Sequence, residues 1–321
     1  MEKSIAVVVT YNRENLLANC INALRNQSCR PDLILVVNNG STDNTEKWLA
    51  SQKDIVFISQ DNVGSAGGFS SGIEWAFKNG YSWIWCMDDD GYPEANAFKN
   101  LLKAEDPKEL RLLNCIVVDK DDKNTLVWKT GQFTSLNQVN TNLIHGKGHL
   151  FNGTLLHRKI IERVGLPEKN FFLWGDETEY YYRITRKNNI PVATVSNSIH
   201  YHPSTAFSLK SDWDFTASWK MYFYVRNRLA VHKAKFKSVA IAYICYFSFI
   251  LAFVGVIVLL QKTNRRKKLQ FLLWPASDAL LKRFNVSPGD ILQKLNTSSK
   301  GSFFDQLKFP VSKKYMRPLS S

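Results

Sequence analysis

The stretch IWCMDDDGYP, residues 84–93, decides how this chain is read: an apolar run of strand length ends in three consecutive carboxylates. Adjacent like charges repel, and a strand end offers only backbone amides in compensation. A hard divalent cation resolves the conflict, because Mg2+ or Mn2+ takes oxygen ligands and is held by one or two carboxylates together with substrate phosphates. In an extended segment Asp88 and Asp90 point to one side and Asp89 to the other. One of the outer pair is thus expected on a metal, with a neighbour meeting ribose or sugar. The competing reading is a solvated acidic turn like DKDDK, residues 119–123, which is expected to lack a preceding strand.

Upstream, apolar runs at 4–10, 33–37, 55–59 and 83–87 alternate with helical patterns through Leu16–Leu24, near 43–51 and near 66–79. That alternation predicts a parallel sheet with helices on both faces. Such sheets bind ligands beyond the carboxyl ends of their strands. There the chain carries TYNR (10–13), NNGSTDNT (38–45), DNVGSAGGF (61–69) and DDDG (88–91). Neither GxGxxG opening the first helix nor GxxxxGK[ST] occurs, which excludes those dinucleotide and P-loop fingerprints.

The 321 residues are 45% hydrophobic and 13% aromatic, enough for a substantial core. The net charge of +14 is unevenly spread. Residues 1–209 hold 22 Lys+Arg and 23 Asp+Glu (22 − 23 = −1), whereas 210–321 hold 20 and 5 (20 − 5 = +15). Within the basic part, SVAIAYICYFSFILAFVGVIVLL (238–260) has no charge and is flanked by Lys233, Lys235, Lys237 and then Lys262, Arg265, Arg266, Lys267 and Lys268. It is long enough to cross a bilayer. Its flanks fit an anionic membrane surface better than a nucleic acid, so no nucleic-acid partner is expected. With both flanks positive, the sequence leaves spanning and interfacial placement open. LLWPASDALLKRF (272–284) reads as a second, amphipathic helix. The N-terminal apolar run is too short for a signal peptide, which places the chain at the cytoplasmic face. Five cysteines without CxxC spacing predict neither a disulfide framework nor a zinc site.

The strand ending in DDD, with the three loops upstream, resembles the family 2 glycosyltransferases over about residues 4–230. The resemblance implies an α/β fold of the GT-A type: a mixed, largely parallel nucleotide-sugar-binding sheet flanked by helices, here with a helical membrane-associated C-terminal region. It divides the chain into a donor half (1–110), an acceptor and catalytic half of the same domain (111–232) and the basic region (233–321). VVVTYNR looks like the family's nucleotide-contacting turn, placing Thr10 and Tyr11 at the donor base and Asn12 and Arg13 beside them. VVNNGSTDNT matches the second loop, with Asn38 and Asn39, although the family usually has Asp where Asn38 stands; an amide there alters the donor and acceptor pattern offered to the base. NVGSAGGF resembles a segment in which small residues let backbone approach the diphosphate sugar, implicating Asn62, Gly67 and Gly68. Paired glycines with a triple Asp look most like bacterial galactofuranosyltransferases, with rhamnosyltransferases next.

FFLWGDETEY (171–180) resembles the acceptor-side motif. A single displacement needs one carboxylate to take the acceptor's proton. The resemblance puts Glu177 in that position and Asp176 before it, while Glu179, four before Arg183, reads as an i,i+4 ion pair. Trp174 reads as an acceptor-stacking or a core residue. Family members carry a metal-binding His after a strand corresponding to VSNSIHYHPST (195–205), so His200 is expected first and His202 second, with Asp90 and Asp88 as the metal's carboxylates. WKMYFYVRNRLAV (219–231) looks like a family helix in which Arg226 and Asn227 organise the active-site floor or phosphate.

The implied activity is an inverting transfer, with Mn2+ or Mg2+, of galactofuranose from UDP-galactofuranose onto a lipid-linked glycan in bacterial surface polysaccharide synthesis. Asp88 and Asp89 share the donor with the upstream loops. Rhamnose from dTDP-rhamnose is the alternative, followed by a nucleotidyltransferase or a non-catalytic glycan-binding protein. The expected partners are the nucleotide sugar, the lipid-linked acceptor and an anionic membrane surface; a homo-oligomer is compatible with the sequence.

Overall fold

The computed structural model describes residues 2–204, 212–214 and 217–297. In chain order the elements are β1 (Ser4–Thr10), α1 (Glu14–Arg25), β2 (Leu33–Asn38), α2 (Thr45–Ser51), β3 (Val56–Ser59), α3 (Gly64–Lys78), β4 (Trp83–Asp88), β5 (Tyr92–Pro93) and α4 (Ala97–Lys103). They continue as β6 (Leu112–Asp119), β7 (Thr125–Thr130), β8 (Phe133–Ser135), β9 (Leu143–His145), β10 (Asn152–His157), α5 (Arg158–Val164), α6 (Asp176–Tyr182), β11 (Val192–His202), α7 (Lys220–Lys235), α8 (Val239–Leu260), α9 (Arg265–Leu280) and α10 (Pro288–Thr297).

The sheet runs β3-β2-β1-β4-β10-β6-β11-β5. The first four strands are parallel, as the alternation of strands and helices predicts. β10 then pairs antiparallel with both β4 and β6, so the sheet as a whole is mixed. β1 is buried along its length because alternate side chains serve two cores. Ala6 and Val8 face α1 and α4 with Leu17, Trp85 and Phe98, while Ile5, Val7 and Val9 face α3 and α6 with Phe69, Ile73 and Tyr180. Each fully buried Val, Leu or Ile contributes roughly 1.5–3 kcal/mol.

α3 lies close on the sheet because its inward positions are glycines at helical spacing. A Cβ on Gly68 would stand 2.5 Å from Val9 Cγ1, and one on Gly72 2.5 Å from Val7 Cγ1. Gly67 and Gly68 therefore sit inside a helix, buried, and make room for protein: Gly68 for the strand and Gly67 for Val63. The expectation that they receive the diphosphate sugar is corrected on this point.

The comparison stretch 119–123 also follows a strand, β6, so a preceding strand does not distinguish it from 88–90 as expected. The difference lies in solvation. Asp119 and Asp122 accept hydrogen bonds from amides of their own exposed turn, whereas Asp88 and Asp90 are half-buried and Asp89 buried.

Behind α6, α7 packs against α8 and α9 around Tyr222, Phe223, Phe253, Ile257 and Trp274. α8 is the 22-residue apolar helix expected at 238–260, with a mean hydropathy of 2.6, long and apolar enough to cross a membrane. It buries Ala242, Tyr246, Phe253 and Ile257 and leaves Ile244, Phe247, Leu251 and Leu259 exposed. The second helix, expected at 272–284, falls on the end of α9 as far as Leu280, and the chain leaves the helix over 281–284; residues 298–321 of the basic region lie outside the described residues.

Candidate active site

A cleft of about 1520 Å³ opens beyond the carboxyl ends of β1 and β4. Thr10, Tyr11, Arg13, Asn39, Asn62, Asp88, Asp89 and Asp90 line one wall, and Trp174, Asp176 and Glu177 line another. Residues separated by up to 167 positions (177 − 10) thus meet in one space.

β4 ends at Asp88 and the chain turns through Asp89 and Asp90, so the side-to-side alternation expected of the triplet stops after its first member. Asp89 is 3% exposed and tied to the scaffold: Thr10 Oγ1 donates to its Oδ2 at 2.7 Å and Arg13 donates to its Oδ1 at 3.0 Å. Arg13 also reaches Asp90 at 2.8 Å, one guanidinium bridging two of the three acids. Burial, then the charges of Asp90 and Asp89, push the Asp88 carboxyl up. Burial likewise pushes Asp89 up to about 6, against the hydrogen bond from Thr10 and the charge of Arg13. For Asp90, burial opposes ionisation, but His202 and then Arg13 outweigh it and hold the group down at about 2.

A pH dependence follows. A carboxyl whose folded pKa is raised keeps a proton that the unfolded chain has released, so its contribution to stability falls as pH rises. For Asp89 the window runs from 3.8 to about 6, and the cost at neutral pH is about 3 kcal/mol. EDTA-treated protein is expected to lose thermal stability across that window, and Asp89→Asn to flatten the loss; an unchanged profile in the variant would remove Asp89 as its source.

The two histidines share a face of β11 but not a depth. His200 is fully buried, has no hydrogen-bond partner for either ring nitrogen, and lies against Gly91, where an added Cβ would come within 2.3 Å of Nε2. Burial lowers it to about 3. His202 lines the cleft, with Nε2 3.3 Å from Asp90 Oδ1. The order expected from sequence is therefore reversed: His202, rather than His200, stands beside the acids. His202 Nδ1 is 2.7 Å from the carbonyl of Pro203, which can only accept, so Nδ1 carries the proton. Asp90 Oδ1 is buried without an aligned hydrogen bond. An imidazole nitrogen and a carboxylate oxygen that converge at this distance suit a divalent cation in place of the proton through which His202 holds Asp90 down. Among the described residues no three of His, Cys, Asp and Glu form a ready cage, so Asp90 and His202 fit an ion whose remaining ligands come from substrate phosphate and water.

The loops set this wall. Asn12, at φ 54°, accepts from the amides of Thr42 and Asp43. Asn38 is buried, accepting from the Ser41 amide and donating to Ser59. Both hold loops, and neither lines the cleft; the expected contacts of Asn12 and Asn38 with the donor are corrected accordingly. Asn39 does line it, while donating to Gly64 O and accepting from Gln60 and Val63. Asn62 caps Gly64, whose φ is 74°.

Gly64 also touches the opposite wall. A Cβ there would stand 1.9 Å from the Phe172 carbonyl oxygen, which the Ala66 amide binds at 3.2 Å. Gly64→Ala is expected to destabilise the chain by about 1–3 kcal/mol through overpacking and the left-handed backbone, and to reduce activity by displacing the 172–177 segment. Thermal melts and turnover check this.

That segment is strained: Phe172, Trp174 and Gly175 have φ of 64°, 59° and 97°. Such conformations persist where surroundings over-determine them. Asn227 Nδ2 donates to the carbonyls of Phe171, Leu173 and Trp174, and Arg226 to those of Asn170 and Phe171. The Arg226 guanidinium lies 4.9 Å from the rings of Phe223 and Phe284. These two residues hold the floor under the acids rather than a phosphate. Asp176 is 2% exposed, with one oxygen unpartnered; burial, then the charge of Glu177, push it well up. Glu177 is half-buried at the cleft wall. Its charge also raises Asp88, and that of Asp88 raises Asp176, so the two acidic clusters face each other. Glu179 pairs with Arg183 at 3.0 Å, away from the cleft lining. Trp174 lines the cleft edge-on to Tyr224.

Trp128, His149, Arg186, Lys220 and Arg228 also line the cleft and were not singled out by sequence. Trp128 contacts both His149 and His202, at 5.2 and 5.3 Å between ring centroids. It arrives on β7, and only the pairing of β6 with β7 could have announced it. Lys220 and Arg228 were within reach, four residues either side of Tyr224.

A mixed α/β sheet with carboxylates beyond its parallel strands is a fold of the GT-A type. Residues 5–165 match Glycosyl transferase family 2, and the chain belongs to that family. It is 32% identical over 212 residues to galactofuranosyltransferase GlfT1 of Mycolicibacterium smegmatis, covering 62% of this chain and 70% of that one. Against galactofuranosyltransferase GlfT1 of Mycobacterium tuberculosis (strain H37Rv) the identity is 31% over 215 residues, with 63% and 70% covered. TarS of S. aureus, residues 1–349, superposes with a TM-score of 0.55 over 92% of this chain and 87% of that one at 14% identity, a likeness of fold. The chain is a glycosyltransferase of the hexosyltransferase class, similar to galactofuranosyltransferases.

Proposed function

We propose that the enzyme transfers galactofuranose from UDP-galactofuranose, with inversion and with Mn2+ or Mg2+, onto a lipid-linked glycan at the cytoplasmic face of a membrane. The observation that carries the reading is the single cleft in which the Asp88–Asp90 turn and His202 face Asp176 and Glu177. The donor sugar rests on likeness to two galactofuranosyltransferases.

In this reading Thr10 and Tyr11 flank the nucleotide base, and Asn39 and Asn62 shape the wall beside it. Asp90 and His202 would hold the cation, which when bound offsets charge developing on the departing diphosphate. Arg13 and Asp89 keep that turn in place. Glu177, at the cleft surface, takes the acceptor hydroxyl's proton. The acceptor oxygen bonds to the anomeric carbon as the bond from that carbon to the UDP oxygen breaks, and the electron pair leaves with UDP. Attack from the face opposite UDP inverts the centre. Asp176, buried and protonated, limits repulsion beneath Glu177. The exposed apolar residues of α8 and its basic flanks support attachment to an anionic membrane.

NMR of the transferred sugar tests the stereochemistry. The expected product has the anomeric configuration opposite to the donor's, and retention would overturn a single displacement. Recovery of the full chain in the membrane pellet after carbonate wash, and its release by detergent, tests the location.

A further inference from the structure

We propose that Lys220, Tyr224 and Arg228 of α7 form a binding site for the diphosphate of a lipid diphosphate whose chain runs onto the apolar surface of α8. The inference rests on the reading of a lipid-linked acceptor and gives it a place on the chain.

Positions 220, 224 and 228 recur every four residues and so share one face of the helix, and all three line the cleft. The five carboxylates of the cleft lining all belong to Asp88–Asp90 and Asp176–Glu177. Along α7 the lining is cationic and aromatic instead. Neither Lys220 nor Arg228 forms an ion pair among the described residues. Such cations in a wide cleft meet no opposite charge among the described residues and are available to an anion. The Arg228 guanidinium lies 4.4 Å over the Tyr224 ring and 5.3 Å from that of Phe249. The rings hold the guanidinium in place, and Arg228 makes no hydrogen bond among the described residues, which leaves its N–H donors open to a bidentate phosphate.

The stripe has two neighbours, and they fix its meaning. On one side Trp174 meets Tyr224 at 6.2 Å between centroids, two residues before Asp176. On the other, Phe249 belongs to α8; at about 100° per residue the exposed Ile241, at 47%, flanks it, whereas Ile244, Phe247 and Leu251 line the far face of that helix. A ligand lying along the stripe therefore runs from the acidic wall, past paired cations, to an apolar helix. A glycan at the acids, a diphosphate at Lys220 and Arg228 and a hydrocarbon on α8 match that order. A lipid-free glycan would leave the cations and the apolar surface unused.

A diphosphate could also come from the nucleotide donor, so the test separates the sources. Full-length protein in detergent micelles is titrated with geranylgeranyl diphosphate, geranylgeraniol, inorganic pyrophosphate and UDP, followed by tryptophan fluorescence. Wild type is expected to bind geranylgeranyl diphosphate at least about tenfold more tightly than the alcohol or pyrophosphate. Loss of a charge-assisted contact predicts roughly 10- to 100-fold weaker binding for Arg228→Gln, a smaller loss for the exposed Lys220→Gln, and UDP affinity within about twofold in both. Retained UDP binding also shows that the variants are folded. If wild type binds the lipid diphosphate and neither variant weakens it, the placement is wrong. Loss of UDP affinity in step with pyrophosphate would assign the stripe to the donor instead. If wild type ignores lipid diphosphates and transfers sugar to a lipid-free glycan, the lipid-linked acceptor itself fails, and this site with it.

Discussion

Glu177→Gln is expected to lower sugar transfer by roughly 10²- to 10⁴-fold, the range for removing a positioned general base, while UDP binding stays intact. The amide keeps the shape of the side chain and cannot take a proton. Glu177 lies at the cleft surface, whereas Asp176 is 2% exposed and its carboxyl is pushed well up by burial and then by the charge of Glu177, which favours its neutral form. Asp176→Asn, which retains the neutral character of that group, should therefore cost much less than Glu177→Gln. Steady-state transfer by both variants, with UDP affinity measured in parallel, checks the assignment; equal losses, or a larger one at Asp176, would reverse the two roles.

Asp90→Asn is expected to weaken the apparent affinity for Mn2+ by at least about 100-fold, the upper range for perturbing even a ligand's supporting contacts. His202→Ala should shift the Mn2+ titration in the same direction. His200→Ala should not, because its ring is buried against Gly91 and has no access to the cleft. It is expected to lower Tm instead, through the cavity it leaves. An unshifted Mn2+ titration for both Asp90→Asn and His202→Ala would dismiss the pair as the cation's ligands.

The strands at 4–10, 33–37 and 83–87 were legible because strands buried on both faces are written as continuous apolar runs, the half-exposed edge strand at 55–59 through its β-branched and aromatic residues, and α8 because no charge interrupts it. β10 was not legible as the strand joining the two parts of the sheet, since its antiparallel pairing with β4 links residues about 70 apart. For the histidines, parity was readable and depth was not: two residues along a strand are some 6–7 Å apart, and only the farther one reaches Asp90. The glycines of α3 were misread for a physical reason. Gly68 and Gly72 lie four residues apart, and that spacing brings a helix close to a strand; the pair at 67–68 drew attention away from it. Asn38 is likewise a loop-holding residue, with both functions of its amide committed to Ser41 and Ser59. The acids at 88–90 and 176–177 stand out in the sequence because their chemistry is costly without a partner, and all five line the cleft, while Trp128 and His149 come from segments whose convergence no local pattern announces.

The most direct measurement is release of UDP or dTDP from a panel of nucleotide sugars by the full-length protein in detergent, with Mn2+ and a lipid-linked acceptor. The account predicts metal-dependent release that is fastest with UDP-galactofuranose and abolished by EDTA. Release from none of the UDP and dTDP sugars would contradict it.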